Sequence, residues 1–198
     1  MAMKTESPGK CTLCGASLSK RQILHHLSKC AYADGKNIAA VVQLRVDMPG
    51  TPFWLDLDVK SNATLRHLDD FLRNIWLECC DHVSSFEIGQ TRYMVVMSDG
   101  FFGPEPNERS MNARLSASLP AAGSGFSYEY DFGSTTHLRL KVVAHREAPS
   151  RRESVRLLAR NDDPIWLCAA CQRPASSVCA YCYEVDALRS TYRRPRVR

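Results

Sequence analysis

IAAVVQLRVDMPGTPFWLDLDVKSNATLRHLDDFLRNIWLEC, residues 38–79, decides the fold. Its opening, 38–46, is apolar and β-branched; 48–52 offers Pro-Gly turn chemistry, and 53–59 alternates as FWLDLDV. That period and that punctuation predict a β-hairpin. Behind a Ser/Asn/Thr capping run at 61–64, Leu65, Leu68, Leu72, Ile75, Trp76 and Cys79 recur at helical spacing and predict one amphipathic helix.

Working outward, Phe86, Ile88, Tyr93, Val95 and Met97 suggest two more short strands, with a Ser-Asp-Gly turn at 98–100. Residues 101–125 are rich in Pro, Gly, Ser, Asn and Ala and read as a loop or lid, broken by a short helix at 111–119. Residues 126–130 and 136–143 read as strands joined through DFGSTT. Strands, one helix, then strands predict an α+β layer with the helix on one sheet face. The order β-β-α-β-β is that of a β-grasp, a ubiquitin-like mixed sheet with one main helix. The expected organisation is a zinc finger at 1–32, this core at 36–147, a basic linker at 148–164, a four-cysteine zinc knuckle at 165–186 and a disordered basic tail at 187–198.

Two small zinc-binding modules thus flank the core, and their ligands are readable. Cys11 and Cys14 form a C-x2-C pair on a tight turn; His26 and Cys30 lie four apart on a predicted short helix at 19–29 and share one face. His25 is the rival ligand, but it would be rotated off that face. At the other end Cys168, Cys171, Cys179 and Cys182 form C-x2-C-x7-C-x2-C. Zn, the expected cofactor, prefers four such ligands in a tetrahedron. Leu18, Ile23 and Leu27 are left to pack the first finger, too few to fold it without metal. A shell closed by four protein ligands leaves no position for a catalytic water, so neither cluster reads as an active site.

No run long and apolar enough for a membrane span is present, and the opening MAMKTESPGK lacks an apolar signal region. The expectation is a cytoplasmic protein with reduced cysteines and no membrane partner. Charge is uneven along the chain. Residues 1–30 carry five Lys/Arg against one Glu, 31–148 carry 11 against 15, and 149–198 carry 10 against five. Polyanion contact is therefore expected at the ends: Lys10, Lys20, Arg21 and Lys29 on the finger; Arg151, Arg152, Arg156 and Arg160 in the linker; Arg193, Arg194, Arg196 and Arg198 in the tail. Arg152, Arg156 and Arg160, four apart, would form one cationic ridge on a helix.

The pieces LRHLDDFLRNIWLECCDHVSSFEI and GFSYEYDFGSTTHLRLKV resemble the plasmid ORF-three-like family, labelled as TnpR-type passenger proteins of insertion elements. Residues 38–143 carry the resemblance, and YEYDFG at 128–133 is its most specific part. CTLCG with HHLSKC, and WLCAACQRPASSVCAYC, are similar to the zinc-bearing ends of a subgroup. The resemblance implies an α+β core from plasmids, mobile elements and prokaryotic genomes, and no settled reaction. Subgroup members continue into further Cys and His residues, whereas this chain turns after Glu184 into VDALRSTYRRPRVR.

Other chemical groups have plainer readings. Cys79 continues the helix's apolar stripe and, with Cys80, reads as packing rather than as a nucleophile beside His82. Asp131-Phe132-Gly133 matches a kinase tripeptide, but the remaining kinase motifs are absent; it reads as a strand end with Phe132 packed inward and Gly133 turning. Tyr128, Tyr130 and His137 read as satisfied positions before they read as a pocket. Trp54 and Trp76 belong to the core, and Trp166 packs beside the second knuckle. The sequence thus predicts a non-enzymatic, zinc-binding module that engages DNA or RNA mainly through phosphates. The alternative is an adaptor whose zinc sites fold surfaces for a protein partner; the sequence leaves the oligomeric state open.

Overall fold

A computed structural model of the chain describes residues 8–30, 37–77, 81–95 and 106–164. The chain divides into two units, Met1–Asp162 and Asp163–Arg198, and the fold that follows is that of the first. Its elements in chain order are β1 (Pro8–Cys11), β2 (Ser17–Ser19), α1 (Lys20–Cys30), β3 (Ile38–Asp47), β4 (Trp54–Lys60) and α2 (Leu65–Leu72). A π-helical turn (Arg73–Leu77) extends α2, and β5 (Ser84–Ile88), β6 (Thr91–Met94), β7 (Glu108–Ser110) and α3 (Leu115–Ser118) follow. The last elements are β8 (Gly125–Tyr130), β9 (Thr136–Pro149) and β10 (Val155–Asn161).

Among the described residues all ten strands join one sheet in the order β2-β1-β10-β4-β3-β9-β8-β5-β6-β7. Every pair is antiparallel except β6 with β7. The result is a mixed sheet dominated by strands with few helices, as the α+β reading expected. Because β3 has antiparallel neighbours on both sides, this order does not establish the ubiquitin-like grasp.

Alternation gives the sheet two unlike faces. On one, Val42, Leu44 and Val46 of β3, Leu55, Leu57 and Val59 of β4, and Leu138, Leu140 and Val142 of β9 pack with Leu65, Leu68 and Leu72 of α2. This is the main core. Thr64 starts α2, its backbone N–H donating to His67 Nδ1 at 3.3 Å, so a histidine occupies the usual capping-box carboxylate position. A buried polar knot tightens the same side: Tyr128 Oη, Ser84 Oγ and Arg73 Nε donate to Asp69 at 2.7, 2.6 and 3.0 Å. Burial, with the Asp69 charge beside it, pushes the Tyr128 phenol well above its usual range.

The opposite face carries Trp54 and the charged side chains Arg45, Asp56, Asp58 and Arg146, which are paired beneath the surface. Arg45 grips Asp56 through Nε and Nη2 at 2.8 and 2.7 Å, and Arg146 donates to Asp58 at 2.6 Å. Burial pushes the Asp58 carboxyl up to about 7, with nearby Arg156 pulling it down and Asp56 pushing it up. Burial likewise raises Asp56, and Arg45 opposes it.

Three expectations need correction. The stretch 148–164 is not a linker: β9 runs to Pro149, and β10 inserts between β1 and β4. Apolar Leu157, Leu158 and Ala159 drive that insertion, the outer two packing into cores on opposite faces. Nor do Arg156 and Arg160 share a ridge. The segment is a strand, and an irregularity between Leu157 and Ala159 changes its phase, so Arg156 lies opposite Asp58 and Arg160 opposite Leu55. Finally, Phe132 points outward, 44% exposed. The left-handed residue of its turn is Asp131 (φ 60°), whose Oδ1 accepts from the Gly133 N–H at 2.9 Å as an Asx turn.

Candidate metal centre

The four finger residues do converge. Cys11 ends β1, and its carbonyl accepts from the Gly15 N–H while its own N–H donates to Ala16, both at 2.9 Å. The chain turns back through Gly15 at φ 78°, a conformation that a side chain would strain. This knuckle presents Cys11 and Cys14 to α1, whose i,i+4 spacing supplies His26 and Cys30. Their ligand atoms all lie within 4.8 Å of one another. Cys11 Sγ to Cys30 Sγ is 4.0 Å, and Cys14 Sγ to His26 Nε2 is 3.3 Å. His26 rather than His25 completes the set. Three sulfurs and one imidazole suit a soft or borderline divalent metal ion.

The electrostatics of the set favour a cation. Donation from the Ala16 backbone leads in lowering the Cys14 thiol. Burial pushes Cys30 up to about 11, and the neighbouring sulfurs of Cys14 and Cys11 add to the rise. Without a cation, deprotonating one thiol opposes the next. A metal ion removes that conflict by drawing charge from all of them.

The site is welded to the sheet. β1 pairs with β10, and Thr12 Oγ1 donates to the Leu157 and Leu158 carbonyls at 2.7 and 2.9 Å. Cys11, Ile23, Leu27, Trp54, Leu158 and Ala159 form its buried apolar cluster. Gly9 is forced: a Cβ there would fall on the Trp54 ring and on the Arg160 carbonyl oxygen. Arg45, stacked 5.0 Å from the Trp54 ring centroid, donates to the Lys20 carbonyl at the start of α1, and Lys20 pairs with Asp47. Sequence reasoning missed this support. Its signal was the alternation Trp54, Asp56, Asp58 facing away from Leu55, Leu57, Val59, which requires Arg45 and a cover.

The other expected residues are placed less favourably. Lys10, Arg21 and Lys29 are exposed, and Lys20 is half-buried in its pair with Asp47. Arg151 and Arg152 are exposed, while burial lowers Arg156. Cys168, Cys171, Cys179, Cys182, Trp166 and the four tail arginines lie outside the described residues, as do Cys79 and Cys80. Tyr128 and Tyr130 are buried on the α2 face, whereas His137 is 62% exposed on the other and pairs with Glu129 at 3.2 Å. They line no common pocket. No helix among the described residues is long and apolar enough to cross a membrane.

Comparison with known proteins adds a family. The model described as plasmid pRiA4b ORF-3-like protein matches residues 39–165. No curated protein matches the chain. Among solved structures, a protein of unknown function from Methanosarcina mazei Go1 is 15% identical, with a TM-score of 0.46 over 62% of this chain and 68% of that one.

Proposed function

The chain belongs to the plasmid pRiA4b ORF-3-like family, and from that premise we propose that it is a non-enzymatic, zinc-stabilised module that associates with nucleic acid through phosphates. The observation that carries the metal half is the ligand geometry. A tetrahedron with Zn–S of about 2.3 Å and Zn–N of about 2.0 Å has edges of roughly 3.8 Å between sulfurs and 3.5 Å between sulfur and nitrogen. The 4.0 and 3.3 Å separations fit it. Four protein ligands close the shell, which suits a structural ion.

The nucleic-acid half rests on the exposed cations around that shell, Lys10, Arg21 and Lys29, with Lys20 at the start of α1. Such contacts position a phosphate backbone without reading bases, so affinity should vary little with sequence. Binding should also fall steeply as salt rises. A mobility-shift series with the zinc-loaded full chain tests this: salt-sensitive retention supports it. Absence of retention at low salt rejects it and turns the search toward a protein partner.

A further inference from the structure

We propose that the β8–β9 hairpin is a track for single-stranded nucleic acid, with Arg139 and Lys141 on two phosphates and Phe132 stacking a base; this rests on the nucleic-acid reading above. Side chains directly opposite one another on antiparallel strands share a face. Arg139 lies opposite Asp47, and Lys141 opposite Arg45, which puts both on the side that carries the metal centre. The start of α1 touches the same rungs, since Lys20 pairs with Asp47 and its carbonyl accepts from Arg45.

Charge on this face is unevenly matched. Glu129 is met by Arg92 and His137, and Glu87 by Arg92. Asp47 is met by Lys20. Arg139 and Lys141 are exposed and have no acidic partner among the described residues. On β8 the residues opposite them are Ser127 and Gly125, small enough to leave the floor open to a ligand backbone. Positions two apart on a strand are separated by roughly 6.8 Å, close to the spacing of successive phosphates in an extended strand.

The same track ends on an aromatic. Among the described residues Phe132 is the one aromatic of the exposed large apolar side chains, and Arg92 lies 5.2 Å from its ring centroid. Arg92 is opposite Glu87, which is opposite Ser127, so Phe132 closes the metal-bearing side of the hairpin. Cations followed by an open aromatic match how single strands are held, with the backbone tracked by charge and bases stacked on rings.

The test uses the zinc-loaded full chain and a fluorescein-labelled single-stranded oligonucleotide, with anisotropy read across a salt series. Arg139→Gln/Lys141→Gln should reduce the magnitude of the salt slope by about 1.4, at about 0.7 per phosphate contact, and Lys141→Gln alone by about 0.7. Phe132→Ala should weaken binding about fivefold or more with the slope unchanged. Arg109→Gln/Arg114→Gln, which removes two exposed charges elsewhere, should leave the slope as it was. If the wild type binds and the β9 variants bind with an unaltered slope, the track is wrong and the broader reading stands. If the wild type does not bind at all, both fall.

Discussion

The two faces of the sheet are stabilised by different physics. Among the described residues the α2 face buries twenty mainly apolar residues in one cluster, enough to hold itself together by exclusion of water. The finger face has, among the described residues, a cluster of six, with Trp54 its largest member, and adds buried ion pairs and a four-residue set that could hold a metal ion. One face is self-sufficient. On the proposed reading, the other gains its order from a cation held by Cys11, Cys14, His26 and Cys30.

Stripping the metal should separate the faces most sharply. Structural zinc contributes about 10 to 16 kcal/mol in isolated fingers, on the order of what six buried side chains supply at about 1.5 to 3 kcal/mol each. In Cys14→Ser or under chelation, amide signals of residues 8–30 should collapse while those of α2 and β8 persist. Trp54, losing its cover, should shift its emission to the red. Equal loss on both faces would show that the finger also holds the core.

A core cavity tests the other side. Leu57→Ala should cost about 2 to 5 kcal/mol in urea denaturation and leave the zinc content at wild-type level. A parallel loss of zinc would erase the contrast. Between these lies Gly9→Ala, where a single methyl meets the Trp54 ring. Overpacking there should cost about 1 to 3 kcal/mol and weaken metal retention under chelator competition, because β1 must lift from β10.

A pH-dependent effect of comparable size is expected from titration of Asp58, on the finger face. Its carboxyl stands at about 7 when folded against 3.8 ordinarily, so between those values the native state holds the extra proton. Stability from this group is complete below about pH 4 and is lost as pH rises to about 7. Asp58→Asn should lack that slope. Urea midpoints that run parallel for the two proteins from pH 4 to 7 would refute it.

Much of this was legible along the chain. The hairpin of β3 and β4, the start of α2 behind Thr64, and the ligand set including His26 over His25 all follow from periods of two and 3.6. Basic composition at 148–164 was misleading, because alternating arginines mask the apolar run Leu157-Leu158-Ala159 that makes β10. Phe132 misled in the opposite way: an apolar residue after a strand reads as core, yet the Asx turn at Asp131 throws it outward.

Short-range spacing was sufficient to name the four residues that could hold a metal ion, since a C-x2-C turn and an i,i+4 helical pair each confine two donors within a few residues. Joining the two halves to the sheet, seating Trp54 under Gly9 and aligning Arg139 and Lys141 with the start of α1 depended on which distant strands pair, and in what register. Register is settled by burial summed over the whole sheet, a quantity no local window of residues contains.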